Sequence, residues 1–239
     1  MCGVFGVRAP ARDVARLSYF GLYALQHRGQ ESAGIAVSEH GRLTALRDLG
    51  LVAQVFNEQR LSGLPGELAI GHTRYSTTGA NAWANAQPLV HHGRARTVAV
   101  GHNGNLVNAE ELRGDTGKLA STTDSEVIAA LIADDLRPLR EAIPAAMARL
   151  EGAATVVGLA DGVLFAFRDR HGFRPLVLGR LGERRGVVRD QRGDNLGVRG
   201  GRELDAVTGE LVAQLRGVDE VAVVAECDRA RTTVVDERL

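Results

Sequence analysis

Cys2-Gly-Val-Phe-Gly-Val7 begins the chain as a short apolar run interrupted by two glycines, the composition of a buried strand that another backbone approaches closely. Behind it, Val14, Leu17, Leu22 and Leu25 recur at helical spacing, with small Ser18 and Gly21 between them and Asp13 as the N-cap. Strand-like runs follow at 34–38, 43–47 and 68–75. The Thr-, Gly-, Asn- and Ala-rich stretch from 76 to 87 then reads as a functional loop. A strand over 96–101 runs directly into His102-Asn-Gly-Asn105. Thr123 to Glu126 has the pattern of a capping box, and the helix it opens carries Val127, Ile128, Leu131 and Ile132. A second helix is expected over 139–150 after Pro138, and strands at 153–160, 163–168 and 176–180. Strands, then helices, then strands, without βαβ alternation, predict an α+β fold: two antiparallel sheets with helices outside, rather than a doubly wound parallel sheet. The Arg-, Gly- and Asp-rich segment up to Arg202 reads as surface loop, and weak strand signals close the chain at 221–225 and 232–235. With no repeat and no linker, one domain over 2–239 is expected.

The 239 residues carry 29 Lys+Arg against 29 Asp+Glu, and 44% are hydrophobic. Enough apolar surface and cancelling charge exclude a disordered chain. Zero net charge argues against a nucleic acid or an anionic membrane as partner, as does the lack of arginines interleaved with stacking aromatics. No apolar stretch reaches the ~18 residues of a membrane span, and the first residues lack the regions of a signal peptide. Two cysteines, Cys2 and Cys227, make no disulfide framework, so a reducing compartment and a cytoplasmic location are expected.

Cys2 is the sharpest chemical feature. Removal of Met1 would leave an α-amine and a thiol on one residue, and an amine with an ordinary pKa of ~7.7 to 8.0 is a fit base for that thiol. No histidine is then needed, so His27, Arg28, His72 and His102 read as scaffold. His91-His92 reads as a polar strand end and Cys227 as a bystander. No spacing of His, Cys, Asp or Glu suggests a metal, and no other cofactor is expected.

Behind Met1-Cys-Gly3 come Leu25-Gln-His-Arg-Gly-Gln-Glu-Ser-Ala-Gly-Ile35, Gly71-His-Thr-Arg-Tyr-Ser-Thr-Thr-Gly79, His102-Asn-Gly-Asn105, Thr122-Thr-Asp-Ser-Glu126 and Arg168-Asp-Arg-His-Gly-Phe-Arg-Pro175, in that order. The set resembles the class II glutamine amidotransferase domain, an N-terminal-nucleophile hydrolase, and looks most like the glutaminase half of the amidophosphoribosyltransferases. The resemblance covers about residues 2 to 180 and leaves 181–239 as a divergent C-terminal part. It implies a four-layer αββα sandwich and glutamine as substrate. It further implies Cys2 as nucleophile, and the Asn103 side chain and Gly104 N–H as oxyanion donors. Arg74 would take the α-carboxylate and Asp124 the α-ammonium of glutamine. Tyr75 would begin the loop that folds over the substrate, with Trp83, the one tryptophan, inside it. Asn-Gly by itself is also a common turn, and Asp124 by itself also suits a helix start.

The pattern departs in two places. Val221-Ala-Val-Val-Ala-Glu-Cys-Asp228 lacks the hydroxyl-rich loop of a phosphoribosyl-pyrophosphate site, and Val187-Val-Arg-Asp-Gln-Arg192 stands where the purine family shows Ala-Ser-Glu-Ser. The expectation is a stand-alone glutaminase with no acceptor domain, supplying ammonia to a separate acceptor synthase or ligase subunit, with homo-oligomerisation left open. Two alternatives remain: an N-terminal-cysteine amidase for another amide, and a non-catalytic glutamine-binding relative.

Overall fold

Alternation along the first strand sets up the layers. In β1 (Gly3–Arg8) Phe5 and Val7 point to one side and Val4 to the other, and all three are buried. A strand buried on both faces needs a layer on each. The computed structural model, which describes residues 2–75, 82–180, 212–215 and 221–225, supplies them.

Helix α1 (Val14–Ala24) covers the Phe5 side, its first turn capped by Asp13, whose side chain accepts from the Arg16 N–H. The sheet beneath it joins β1 to β2 (Ser32–Glu39), β3 (Arg42–Leu49), β4 (Leu68–Arg74), β9 (Val177–Arg180) and β11 (Val221–Ala225), in the order β3-β2-β4-β1-β11-β9. The short helices α2 (Val52–Val55) and α3 (Glu58–Ser62) pack into the same outer core through Val52, Val55 and Leu61. The second sheet has the order β10-β8-β7-β6-β5, built from β5 (Leu89–His92), β6 (Thr97–Leu106), β7 (Gly152–Ala160), β8 (Val163–Arg168) and β10 (Val212–Leu215). Its outer face is covered by α5 (Asp124–Ala133) and α6 (Leu139–Met147), preceded by α4 (Ala109–Asp115). Every paired strand is antiparallel.

Three buried clusters fill the three spaces between four layers, and Val4, Ile70, Ala99, Val157 and Leu164 form part of the central one. This is the αββα sandwich expected from the sequence. Gly6 of β1 is needed there for a different reason than expected: a Cβ would lie 2.6 Å from the Val157 side chain, so the facing sheet's side chains come close rather than another backbone.

Two local expectations need correction. Thr123 is the N-cap of α5 without a side-chain capping bond, and Glu126 does not close a capping box. Its carboxylate instead accepts from the N–H groups of Ala120 (3.0 Å) and Ser121 (2.5 Å), which ties down the segment before the helix. The strand expected over 96–101 is longer: β6 takes in His102-Asn-Gly-Asn105, paired with β7 throughout. The strand expected at 221–225 is present as β11, which pairs directly with β1 inside the sheet. The expected surface loop up to Arg202, the strand at 232–235 and Cys227 lie outside the described residues.

Candidate active site

The site begins where β5 stops. Leu89 of β5 pairs with Val100, and beyond that point β6 runs on to Leu106 with β7 alone beside it. In an antiparallel strand alternate residues send both N–H and C=O to the same neighbour. The even-numbered residues of β6 past Val100 therefore point at the vacated edge, and their amides need other partners. The His102 N–H donates to Gln87 Oε1 at 2.8 Å, and the Leu106 N–H donates to Asp124 Oδ2 at 2.9 Å. The Gly104 N–H emerges between these two on the same edge.

Side-chain alternation brings the nucleophile candidate to this place. Continuing the pattern of Val4 and Gly6, Cys2 faces the space between the sheets, at the end of β1 where Val4 packs beside Gly101 of β6. Arg74 ends β4 on the face of Ile70 and His72 and is 3% exposed. The Cys2 Sγ lies 3.8 Å from the Tyr75 carbonyl oxygen. Cys2, Arg74, Tyr75, Gly104 and Asp124 all line one cavity of about 240 Å³. Tyr75 is half exposed at its rim. Asn103 is not part of the lining; it is buried in β6 on the alternation face of Ala99, towards the first sheet.

Helix α5 supplies the acid. Asp124 is its first residue, and the His102 ring stands beside it, with Nδ1 3.5 Å from Asp124 Oδ1 and 3.3 Å from Ser125 Oγ. Burial raises the Asp124 carboxyl, but the adjacent His102 ring and the N–H groups of Leu106 and Ser125 outweigh burial and bring its pKa down to about 2. It is therefore an anion at any physiological pH. Burial pushes the Cys2 thiol above its ordinary range, with the Arg74 charge pulling the other way. A resting thiol of this kind is protonated and needs a base before it can attack. His72 is fully buried, its pKa lowered to about 3 by burial first, with His102 and Arg74 adding to it. Its Nε2 donates to the His102 carbonyl oxygen at 3.1 Å, so the neutral ring braces β4 against β6. That is a scaffold role, as expected. His102, also read as scaffold, lines the cavity itself.

Two contributors escaped the sequence reading. Gln87 lines the cavity and fixes the β6 edge, and Arg113 of α4 donates to the carbonyl oxygens of Ser121 and Thr123, holding the approach to α5. Neither sits in a periodic pattern or a motif that marks it. Only the position of Gln87 at the boundary between a polar loop and a strand was a signal. Ser76 to Asn81, most of the expected closing loop, lie outside the described residues; the segment after them is anchored by Asn85, which pairs with Thr122.

Comparison with known proteins bears on the family and the fold. A family model described as a glutamine amidotransferase domain matches residues 72–188. An amidophosphoribosyltransferase of Mycobacterium tuberculosis is 50% identical over 192 residues, covering 75% of this chain and 36% of the relative. One from Synechococcus elongatus is 51% identical over 187 residues, covering 75% of this chain and 38% of the relative. Among solved structures, the glutamine phosphoribosylpyrophosphate amidotransferase of B. subtilis superposes with a TM-score of 0.70 at 30% identity, covering 94% of this chain and 41% of that one. The chain thus spans little more than a third of the length of the curated relatives it matches.

Proposed function

We propose, from the premise that this chain belongs to the class II glutamine amidotransferase family, that it hydrolyses the side-chain amide of glutamine through a thioester on Cys2 and supplies the ammonia to a separate acceptor synthase or ligase subunit. The observation that carries the reading is one cavity shared by Cys2, Arg74, Gly104 and Asp124: a thiol, a cation, a backbone donor and an anion from four distant segments.

The chemistry follows from these groups. After loss of the initiator methionine, the Cys2 amine takes the thiol proton as Sγ bonds to the amide carbon. The Gly104 N–H, projecting from the open β6 edge, receives the charge that develops on oxygen; the Asn103 side chain, which does not line the cavity, is assigned as second donor by the family resemblance alone. The C–N bond then breaks, the amine returns its proton to the leaving nitrogen, and ammonia departs. Water adds to the thioester, releasing glutamate and the thiol. Meanwhile the Arg74 fork holds the α-carboxylate and the ionised Asp124 holds the α-ammonium, ends that only a free amino acid displays. The relatives carry the name amidophosphoribosyltransferase.

Glutamate release by wild type and by Cys2→Ala, each alone and with the products of neighbouring genes, tests the reading. Cys2-dependent release is expected, from a protein whose intact mass lacks one methionine. Absence of Cys2-dependent turnover in every arm would overturn it.

A further inference from the structure

Gln87 does more than close the β6 edge. Its backbone is held in place from below: the Arg47 guanidinium donates to the Ala86 carbonyl, and Gly34 of β2 leaves room for the Gln87 carbonyl, which a Cβ at that position would strike. Its side chain is 5% exposed and held at one end, where Oε1 accepts the His102 N–H. A backbone N–H can only donate, so the oxygen must face β6 and the NH2 group must face away from it. That NH2 has no acceptor among the described residues, and Gln87 is in the cavity wall with Cys2 and Gly104. An amide locked at its oxygen end therefore presents two N–H donors, with no protein acceptor among the described residues, to the inside of a substrate-sized cavity, where a ligand oxygen can take the place of water.

We propose that Gln87 is a substrate-binding residue whose side-chain NH2 donates to an oxygen of bound glutamine, one strand repeat along the β6 edge from the Gly104 N–H. The inference rests on the glutaminase reading above. Glutamine offers two acceptors of the right kind, the reacting side-chain carbonyl and the α-carboxylate, and kinetics separate them.

Gln87→Glu is the decisive variant, because it keeps an oxygen for the His102 N–H and the shape of the side chain while removing both donors. Gln87→Met removes the donors without adding a charge. Melting temperature reports the fold, alkylation of Cys2 by iodoacetamide reports the thiol without needing glutamine, and kcat and KM report the substrate. Both variants should lose about 10- to 100-fold in kcat/KM for glutamine, the scale of a hydrogen bond to a charged or charge-developing group. In Gln87→Glu the melting temperature and the alkylation rate should stay at wild-type values. A fall in kcat assigns the donor to the reacting carbonyl, and a rise in KM assigns it to the carboxylate. Wild-type kcat/KM in either variant would overturn the proposal, leaving Gln87 as a brace for β6. So would a loss in Gln87→Glu that melting or alkylation follows in step. If the wild-type chain itself turned over no glutamine, the glutaminase reading would fall and this inference with it.

Discussion

Arg74 is a single side chain whose type, not only its charge, matters. At 3% exposure on the cavity wall, a guanidinium presents two parallel donors to a carboxylate, whereas an ammonium presents a point charge. Arg74→Lys is expected to raise KM for glutamine about 10-fold or more while Cys2 alkylation by a small electrophile is retained; an unchanged KM would remove Arg74 from substrate recognition. His72 makes a prediction about stability. Its folded pKa, about 3, is below the unfolded value of 6.5, so between those limits the unfolded chain binds a proton that the folded chain refuses. Stability should therefore be unaffected by this residue above pH 6.5 and should fall by up to ~1.4 kcal/mol per pH unit below it, levelling off near pH 3. Denaturant titrations from pH 7.5 to 4 on wild type and His72→Gln measure the difference. Equal pH slopes in the two proteins would show that the buried ring carries no such cost. Asp124, with its pKa depressed to about 2, works the same way at lower pH: its contribution is present above the ordinary carboxyl range and is lost only as pH falls from there towards 2.

Elements turn such residues into a site, and β6 does most of it. Gly104 is required for its lack of a side chain: a Cβ would collide with the Ala153 carbonyl and lie 2.6 Å from His102 Nε2. Gly104→Ala should move the strand edge, lower the melting temperature and abolish glutamate release together; an active, equally stable Gly104→Ala protein would mean that β6 accommodates a Cβ at this position. How far this was legible in the sequence depends on the kind of signal. The apolar run of β1 and the helical spacing after Asp13 are local and forecast β1 and α1, while the order of strands, helices and strands forecast the two antiparallel sheets. Cys2, Arg74, Gly104 and Asp124 were legible because each sits in an ordered motif. The open edge that makes Gly104 exceptional was not, since it depends on β5 ending at Leu89 while β6 continues. Likewise Glu126 had the spacing of a capping box, but the Ala120 and Ser121 amides compete for its carboxylate and win. Gln87 was marked only as the end of the polar loop, because its partner is a backbone N–H 15 residues away, a contact no periodicity encodes.

At the scale of the whole molecule, the strand that presents Cys2 relies on the far end of the described chain. β1 is flanked by β4 and by β11, with register pairs running from Val4↔Ala225 to Arg8↔Val221, and β9 is joined to the sheet through β11. Motif-bearing residues up to 180 thus do not complete the first sheet, although the resemblance to glutaminase domains was carried by them. A chain ended after Arg180 would leave the whole length of β1 as an open edge next to the nucleophile, and β9 without its neighbour. Unpaired N–H and C=O groups along a long apolar edge invite pairing with another molecule. Such a truncation is expected to elute as aggregate in size-exclusion chromatography, and any soluble fraction should release no glutamate in a Cys2-dependent way. A monodisperse, active truncated protein would show that β1 holds Cys2 in place with β4 alone, and that β11 contributes nothing the site needs.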